Sequence, residues 1–426
     1  MSDKKTVADV LAEVRFSERL EELTLKLPAT LVLAKEGPSL ARRNQVRRKF
    51  YRESELLRIE IEEKLNEYGI EKEWLASAEI AEANKKLDAI RKQLRLDIIP
   101  IQDSTFDKVY TAVRFATFAL VLIGWFSAVC LLLPVRLLDK TLREAGVPKS
   151  YLPMDIISWM MACLVSITGG SDMLAEGREN LAELEDSVVC MFSHSSNLDG
   201  FIVNSMSPVA FKYAAKKSIF MLPFLGWAAR WCFGFVPIDR SNRKMALESL
   251  KELAHSVNEQ GNSVCISPEG TRSKDGLLQE FKKGPFYLRD DTKKNVIPAI
   301  VFGAYECWPP ERLFSVPGRT LVRFLPQFAP DPSKNRNINR LALRRIFLDA
   351  FVQDVPDDIG TPSSTNALLR NMLQVYLIWA ITFKVLSITM SVIGWICYVV
   401  GISGWTFTQL SLVVTVALEV YMFFTC

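Results

Sequence analysis

The chain has 426 residues, a formal net charge of +4, two histidines and eight cysteines. This length is enough for one catalytic domain with additional segments, and the near balance of charges does not point to nucleic acid as a partner. None of the cysteines forms a Cys-x-x-Cys pair, and two histidines exclude a His-rich metal site. We therefore expect no nucleic-acid partner, no disulfide framework and no metal, in a reducing, cytosol-facing compartment.

Residues 1–104 are predicted to form a charged helical arm. Met1 to Lys26 carries many charges, so we expect no secretory signal there. A basic cluster lies within the arm at Arg42, Arg43, Arg47, Arg48, Lys49 and Arg52. The cluster predicts either contact with anionic lipid headgroups or the solvated face of a helix.

Residues 105–171 are predicted to embed the protein in a membrane. Phe115 to Val135 is uncharged and bounded by Arg114 and Arg136, and as a helix of about 21 residues it would span about 31 Å. The second apolar stretch, 156–170, is short for a span. It is either a re-entrant or interfacial helix or the first core helix of the following domain.

Residues 172–335 alternate between short strand-like runs and helical runs. Strands are predicted at 187–192, 263–267, 296–301 and 320–325. A helix is predicted at 245–260 and ends at Gly261. This alternation is typical of an α/β domain with a central, mostly β sheet and flanking helices.

Residues 336–370 are predicted to contain a basic amphipathic helix at 337–352, followed by a linker rich in Pro, Asp and Ser at 356–365. This segment would connect the α/β domain to the final part of the chain.

Residues 371–426 are predicted to form a transmembrane hairpin. Val385 to Leu418 carries no charge for about 34 residues, which is too long for one span. The sequence Gly401-Ile-Ser-Gly404 favours a turn. We therefore expect two membrane helices, at about 376–399 and 405–425.

His194 and Asp199 lie between a strand-like run and a helix-like run. On a regular helix the two side chains would point about 140° apart, so they can meet only if the chain turns between them. Ser195, Ser196 or Asn197 could cap that turn. Asp199 would then hold the imidazole in one tautomer, and the other ring nitrogen could take a proton from a hydroxyl. The alternative is an ordinary structural hydrogen bond.

Two further segments suggest an anion site. In Gly234-Phe-Val-Pro-Ile-Asp239-Arg240, an arginine follows a strand-like run and could bind phosphate oxygens, or pair with Asp239 at the surface. In Glu269-Gly270-Thr271-Arg272-Ser273, a glycine, hydroxyls and an arginine follow a strand and could cradle an anion. A proline at 298 interrupts an apolar strand, which is typical of an edge strand or a bulge.

In this order, the four segments resemble the motifs of the glycerolipid acyltransferase family that includes the 1-acyl-glycerol-3-phosphate acyltransferases. The family carries His-x4-Asp, a block ending in Ile-Asp-Arg, Glu-Gly-Thr-Arg-Ser, and an apolar block with proline. The matching residues are His194 and Asp199, then Gly234, Asp239 and Arg240, then Glu269, Gly270, Thr271, Arg272 and Ser273, and finally Pro298. The resemblance extends from Val188 to Phe328. Ser193 stands where many members have Asn, and Pro237 replaces an apolar residue.

The resemblance implies a membrane-bound enzyme that transfers a fatty acyl group from acyl-CoA to a lysophospholipid, most simply 1-acyl-glycerol-3-phosphate. His194 would be the base and Asp199 its orienting partner. The acceptor would be bound by Arg240, by Glu269–Ser273 and by Pro298, with Glu269 fixing Arg272 or Arg240, or binding glycerol hydroxyls. Acyl-CoA would be a co-substrate, with no further cofactor.

A positive mouth of the site could attract acyl-CoA, and its candidates are Lys212, Lys216, Lys217, Lys282 and Lys283. We expect an integral protein of the endoplasmic reticulum or another intracellular membrane, with its catalytic domain facing the cytosol. The alternatives are another acceptor, such as glycerol 3-phosphate or a different lysophospholipid, a CoA-independent transacylase, and a non-catalytic lipid-binding scaffold.

Overall fold

In the computed structural model of the chain, residues 5–70, 77–101, 104–147, 151–182, 184, 187–361 and 365–425 are described. They contain a seven-stranded sheet with the order β1-β7-β6-β2-β5-β3-β4. The strands are β1 (Ser171–Glu176), β2 (Val189–Phe192), β3 (Phe211–Lys216), β4 (Val236–Ile238), β5 (Ser263–Ile266), β6 (Val296–Phe302) and β7 (Gly318–Phe324). Strands β2 to β6 run in one direction, whereas β7 is antiparallel to β6 and parallel to β1.

Thirteen helices of seven or more residues accompany this sheet in the described part of the chain. They are α1 (Val7–Glu13), α2 (Phe16–Glu36), α3 (Leu40–Glu67), α4 (Ala78–Gln93), α5 (Thr105–Leu131), α6 (Val135–Glu144), α7 (Pro153–Thr168), α8 (Asp199–Met206), α9 (Arg243–Asn258), α10 (Gly284–Thr292), α11 (Arg336–Phe351), α12 (Thr365–Val400) and α13 (Gly404–Thr425). Shorter helical turns lie at Glu179–Ala182, Lys217–Phe220, Leu225–Trp227 and Ala304–Cys307, with a π-helical turn at Ala228–Cys232.

The predicted α/β class and the four predicted strands are confirmed, as are the helices predicted at 245–260 and 337–352. Strands β1 and β3 escaped prediction because their sequences, Ser-Asp-Met-Leu-Ala-Glu and Phe-Lys-Tyr-Ala-Ala-Lys, contain few of the β-branched residues that favour strands. They become strands because they pair with β7 and with β5, which are distant in sequence.

The sheet separates two hydrophobic layers. Along β2, Val189 and Met191 share one core with the arm helices α1 to α4 and with α9 to α11. Cys190 and Phe192, which point to the opposite face, share the other core with α5, α7 and α8. Alternate residues of one strand thus bury apolar surface on both sides, as expected for a covered parallel sheet. The N-terminal arm is therefore one of the two layers that cover the sheet.

The arginines of the basic cluster pair with carboxylates, and both interpretations of the cluster are wrong for the buried Arg47 and Arg48. Arg48 lies 2.9 Å from Glu306, and both side chains are buried. The other pairs are Arg42 with Asp354 and Asp357, Arg43 and Arg47 with Asp97, and Arg52 with Asp349. All these acidic residues lie outside the helix that carries the arginines. The sequence of α3 alone therefore gave no indication that its charges are neutralised.

Helix α5 is shifted toward the N-terminus relative to the predicted span at 115–135, and it contains a π-helical turn at Val121–Trp125. Arg114, predicted to bound the apolar segment, is buried within the helix. Its guanidinium donates a hydrogen bond of 2.8 Å to the Ser315 hydroxyl. Helix α5 is long and apolar enough to cross a bilayer, but one such helix does not by itself distinguish a span from a core helix.

Helix α7 packs against the sheet domain through one face only. Met161 and Val165 are buried in the core that also contains residues of α8, whereas Ile156, Trp159 and Met160 are exposed. The buried face fits one of the two alternatives for 156–170, a core helix of the following domain. The exposed apolar face leaves contact with a membrane interface as a prediction.

The C-terminal region forms two helices joined near Gly401, as the turn signal predicted. The paired segments Met390–Val400 and Gly404–Val414 reach the length and hydropathy of a span only together, and the chain bends by 109° between them. The transmembrane hairpin therefore stays a prediction. The predicted linker at 356–365 is described only up to residue 361 and at residue 365.

Candidate active site

Three of the four motif segments meet at one edge of the sheet. His194 follows β2, Arg240 follows β4 and Glu269 follows β5. These strands run parallel, so their carboxyl ends lie at the same edge, which is where open α/β sheets bind ligands. The parallel direction of the strands therefore places together residues that are far apart in the sequence.

His194 and Asp199 contact each other across the turn between β2 and α8. The His194 Nδ1 and Asp199 Oδ2 atoms are 2.9 Å apart. The same oxygen accepts hydrogen bonds of 2.6 Å from the backbone N–H groups of Ser195 and Ser196. The predicted turn is present, and within it the Ser196 hydroxyl accepts a hydrogen bond of 3.3 Å from the Leu198 N–H, although Leu198 itself is the residue that precedes the helix.

The carboxylate of Asp199 fixes which nitrogen of His194 can react. Asp199 is fully buried, whereas 22% of the His194 side chain is exposed. The imidazole also packs edge-on against Phe192, with ring centroids 5.5 Å apart. With Nδ1–H donated to the carboxylate, Nε2 is the nitrogen left to accept a proton from a bound hydroxyl.

Glu269 holds the backbone of the histidine, which corrects its predicted role. Its Oε1 accepts a hydrogen bond of 2.7 Å from the His194 backbone N–H, and its Oε2 accepts one of 2.8 Å from that of Gln279. The side chain is buried. The expected pairing with Arg272 or Arg240 is wrong, because both carboxylate oxygens point to backbone amides at the base of the loop.

Burial raises the pKa of Glu269 to about 8, although the two backbone N–H groups oppose this shift. The nearby Asp199 carboxylate raises the pKa further. Desolvation dominates because the buried carboxylate has lost its water and no residue in the described part of the chain forms an ion pair with it, although the charge of Arg91 lowers the pKa slightly.

The other residues of the Glu269–Ser273 segment divide into exposed and internal positions. Ser273 is buried, its hydroxyl donates to Asp275 at 2.7 Å, and its backbone N–H donates to the His194 carbonyl at 2.7 Å. Thr271 is exposed, and its hydroxyl lies 3.2 Å from Gln279. Gly270 has a φ of +71°, in the left-handed region that favours glycine. The Ser273 hydroxyl is thus engaged within the protein.

Arg240 and Arg272 form the basic part of the site. Both side chains are exposed, and no residue in the described part of the chain forms an ion pair with either guanidinium. The pKa of Arg240 is lowered, first by partial desolvation and then by the positive charge of Arg272. Asp239, the alternative partner of Arg240, instead accepts hydrogen bonds from the N–H and hydroxyl of Ser241. Two arginines that repel each other and lack a carboxylate favour an anionic ligand.

Pro298 lies inside the sheet, so the expectation of an edge strand or a bulge is wrong. It pairs with Met191 of β2, and its carbonyl accepts a hydrogen bond of 2.8 Å from Leu325. The next residues of β6 hold the backbone that leads to the histidine: Ser193 N–H donates to the Ala299 carbonyl, and Val301 N–H donates to the Ser193 hydroxyl. These contacts place β6, the strand that contains Pro298, beside the backbone that leads to His194.

The lysines predicted at the mouth of the site have different environments. Lys212 is buried and lies 2.5 Å from Asp155 of α7, so it is a structural pair and not part of a mouth. Lys216, Lys282 and Lys283 are exposed, and Lys217 is half-buried. These four remain candidates for attracting an anionic substrate.

Three residues that contact the site loop were not predicted from the sequence: Arg91, Asp275 and Gln279. Asp275 lies two positions after Ser273, and such proximity to a motif was the only available signal. Arg91 carried no signal, because its contact with the loop depends on how the arm packs.

Part of the chain, including the candidate site, is similar to known proteins. Residues 173–301 match the family model described as Acyltransferase. The chain is 26% identical to a 1-acyl-sn-glycerol-3-phosphate acyltransferase of Limnanthes douglasii over 284 residues, covering 65% of this chain and 95% of that protein. It is 37% identical to a chloroplastic 1-acyl-sn-glycerol-3-phosphate acyltransferase of Arabidopsis thaliana over 134 residues, covering 32% of this chain and 37% of that one.

A solved structure of a 1-acyl-sn-glycerophosphate acyltransferase from Thermotoga maritima is also similar. It is 20% identical, with a TM-score of 0.40, and the match covers 57% of this chain and 99% of that one.

Residues 173–301, which contain His194, Asp199, Arg240 and the Glu269–Ser273 segment, form an acyltransferase domain. Beyond this domain, the chain is similar to enzymes of the 1-acyl-sn-glycerol-3-phosphate acyltransferase type, as its motifs predicted, and this similarity supports an enzyme that acylates glycerophospholipids.

Proposed function

We propose that this protein transfers a fatty acyl group from acyl-CoA to the free hydroxyl of 1-acyl-glycerol-3-phosphate and so forms phosphatidic acid. The observation that carries this proposal is the His194–Asp199 pair at the same sheet edge as two arginines without a carboxylate partner. A base and an anion site fit an acceptor that has both a hydroxyl and a phosphate.

In the proposed reaction, His194 Nε2 takes the proton from the acceptor hydroxyl as the hydroxyl oxygen attacks the thioester carbonyl. The carbon–sulfur bond then breaks, the acyl group stays on the acceptor oxygen, and the CoA thiolate leaves and takes up the proton. Asp199 keeps Nδ1 protonated and stabilises the imidazolium that forms transiently. The scheme uses acyl-CoA as a co-substrate and needs no further cofactor.

Arg240 and Arg272 would bind the phosphate of the acceptor. Exposed guanidiniums at the carboxyl edge of the sheet can form bidentate hydrogen bonds to phosphate oxygens. Binding the phosphate there would fix the distance from the acceptor hydroxyl to His194, which lowers the entropic cost of the reaction. Thr271, exposed on the same loop, could add a hydroxyl contact.

We place the enzyme at an intracellular membrane, such as the endoplasmic reticulum, with the sheet domain facing the cytosol. The apolar length of α5, the exposed apolar residues of α7 and the apolar composition of α12 and α13 support a membrane location. Both lipid substrates partition into bilayers, so a site at the interface would meet them directly.

The test is an assay of the purified full chain with one labelled acyl-CoA and a panel of acceptors: 1-acyl-glycerol-3-phosphate, glycerol 3-phosphate and lysophospholipids with larger headgroups. We expect labelled phosphatidic acid as the main product. Labelling of another acceptor in its place would change the substrate assignment. Label transfer only from a phospholipid donor would indicate a transacylase.

The base is tested in the same assay by His194→Ala, with His255→Ala as the matched control. His255 is the second histidine and lies exposed on α9. Loss of a general base typically lowers turnover about 10²–10⁴-fold, and we expect that loss for His194→Ala and none beyond about twofold for His255→Ala. Near-normal turnover of the His194 variant would rule out the proposed base.

A further inference from the structure

The N-terminal arm contacts the loop of the active site through one arginine. Arg91 of α4 forms a bidentate ion pair with Asp275, with distances of 2.7 Å from Nε to Oδ2 and 2.9 Å from Nη2 to Oδ1. The same guanidinium donates to the backbone carbonyls of Leu277 and Leu278. Arg91 therefore binds the segment that directly follows Glu269–Ser273, although it lies outside the matched acyltransferase segment.

Asp275 connects Arg91 to the backbone of His194 through Ser273. Its Oδ1 accepts hydrogen bonds from the Ser273 hydroxyl at 2.7 Å and from the Leu277 N–H at 3.1 Å. The Ser273 N–H in turn donates to the His194 carbonyl. A continuous chain of polar contacts thus runs from Arg91 through Asp275 and Ser273 to the backbone of His194.

The loop that carries Arg272 is held at both of its ends. At the first end, Glu269 binds the backbone N–H groups of His194 and Gln279. At the second end, Ser273 and Asp275 connect to His194 and to Arg91. Between them, Gly270 has left-handed backbone geometry and Thr271 and Arg272 are exposed. The position of Arg272 therefore depends on these anchors, and Arg91 is the anchor supplied by the arm.

We infer that Arg91 is a positioning residue for acyl transfer, through which the N-terminal arm holds the Arg272 loop and His194 in the productive arrangement. This inference rests on the proposed function, because it assigns a purpose to the same base and phosphate site. The physical reason is that displacement of a positioning group by about 1 Å can cost about a hundredfold in rate. A bidentate arginine–carboxylate pair fixes both the distance between the two side chains and their relative orientation.

The arm offers a matched control for general effects on packing. Arg345 of α11 forms a bidentate ion pair with Glu63 of α3, so it also joins the arm to the rest of the molecule. In the described structure its side-chain hydrogen bonds go to Glu63, and Glu63 does not belong to the site loop. Arg91→Gln and Arg345→Gln thus each disrupt one arginine–carboxylate pair of the arm, but only the first removes contacts to the site loop.

The experiment compares steady-state kinetics of Arg91→Gln, Arg91→Lys and Arg345→Gln in the full chain, with acyl-CoA and 1-acyl-glycerol-3-phosphate as substrates. For Arg91→Gln we expect kcat/KM to fall about 10–100-fold, with a larger rise in KM for the acceptor than for acyl-CoA. Arg91→Lys should be more active than Arg91→Gln, because an ammonium keeps the charge but cannot make the bidentate contact with Asp275. Arg345→Gln should stay within about twofold of the unmodified protein.

Equal losses in Arg91→Gln and Arg345→Gln would overturn the inference, because the arm would then act only through packing. Unchanged kinetics of Arg91→Gln would overturn it as well. If Arg91→Gln does not accumulate as folded protein, Arg91→Lys decides, and a loss below about threefold counts against the inference. His194→Ala in the same assay separates the two proposals: if it is inactive while the Arg91 variants are normal, only the role of Arg91 fails.

Discussion

Arginines occur in two regions of this molecule with opposite environments. On α3 of the arm, five arginines each contact a carboxylate, and Arg48 with Glu306 is fully buried. At the carboxyl edge of the sheet, Arg240 and Arg272 are exposed and repel each other. The denser cluster in the sequence is therefore the neutralised one. The presence or absence of a partner, and not the number of basic residues, distinguishes an anion site from a structural interface.

The largest effect should come from breaking the buried pair. Arg48→Ala leaves Glu306 without a counter-ion and also removes the guanidinium that lies 5.0 Å from the ring centroids of Phe302 and Phe351. Loss of one partner of a buried pair typically costs about 3–5 kcal/mol. We expect a corresponding decrease in the free energy of unfolding, measured by denaturant titration in detergent.

The control for this prediction is Arg52→Gln, whose pair with Asp349 is considerably more exposed. Exposed pairs typically contribute less than about 1 kcal/mol, so unfolding should change little. If Arg48→Ala instead left stability unchanged and weakened acceptor binding, the arm arginines would belong to the anion site and the comparison would fail.

The next largest effect should come from the arginines at the carboxyl edge of the sheet. Arg272→Ala should raise the KM for the phosphate-bearing acceptor by about 10–100-fold, because a hydrogen bond to a charged group typically contributes about 1.5–3 kcal/mol. The KM for acyl-CoA should change less, and the free energy of unfolding should not decrease, because the guanidinium has no partner to lose in the described structure. Equal changes in both KM values would contradict a phosphate role.

The last effect is a pH dependence of stability that arises from Glu269. Its pKa is raised to about 8 in the folded protein, so the folded state binds this proton more tightly than the unfolded state does. Stability from this group is therefore present below about pH 4.5 and is lost as the pH rises toward about 8.

Glu269→Gln removes this titration, so its melting temperature should fall less steeply than that of the unmodified protein between about pH 5 and about pH 8. Thermal unfolding at several pH values measures the difference. Parallel curves for the two proteins would show that Glu269 does not titrate in this range. A constant offset is expected in addition, because the amide group cannot accept hydrogen bonds at both of its positions.

The sequence by itself determined the α/β class, four of the seven strands and the motif residues, because apolar periodicity and short motifs are local properties of the chain. It also determined that His194 and Asp199 need a turn in order to meet, since their spacing does not fit a regular helix. Strand β4 was indicated only as a strand-like run before Arg240. The weakly apolar strands β1 and β3 were missed, because their strand conformation depends on pairing with distant segments.

Only the tertiary structure decided which charges are paired and what each polar group of the site contacts. Glu269 was expected to fix an arginine or to bind glycerol hydroxyls, and in the structure it holds the backbone of His194, whereas Arg91 binds the site loop from the distant arm. The physical reason is that ion pairs and hydrogen bonds form between groups within about 3–4 Å in space, whatever their separation along the chain. Helix packing and the parallel order of β2, β5, β3 and β4 fix those distances.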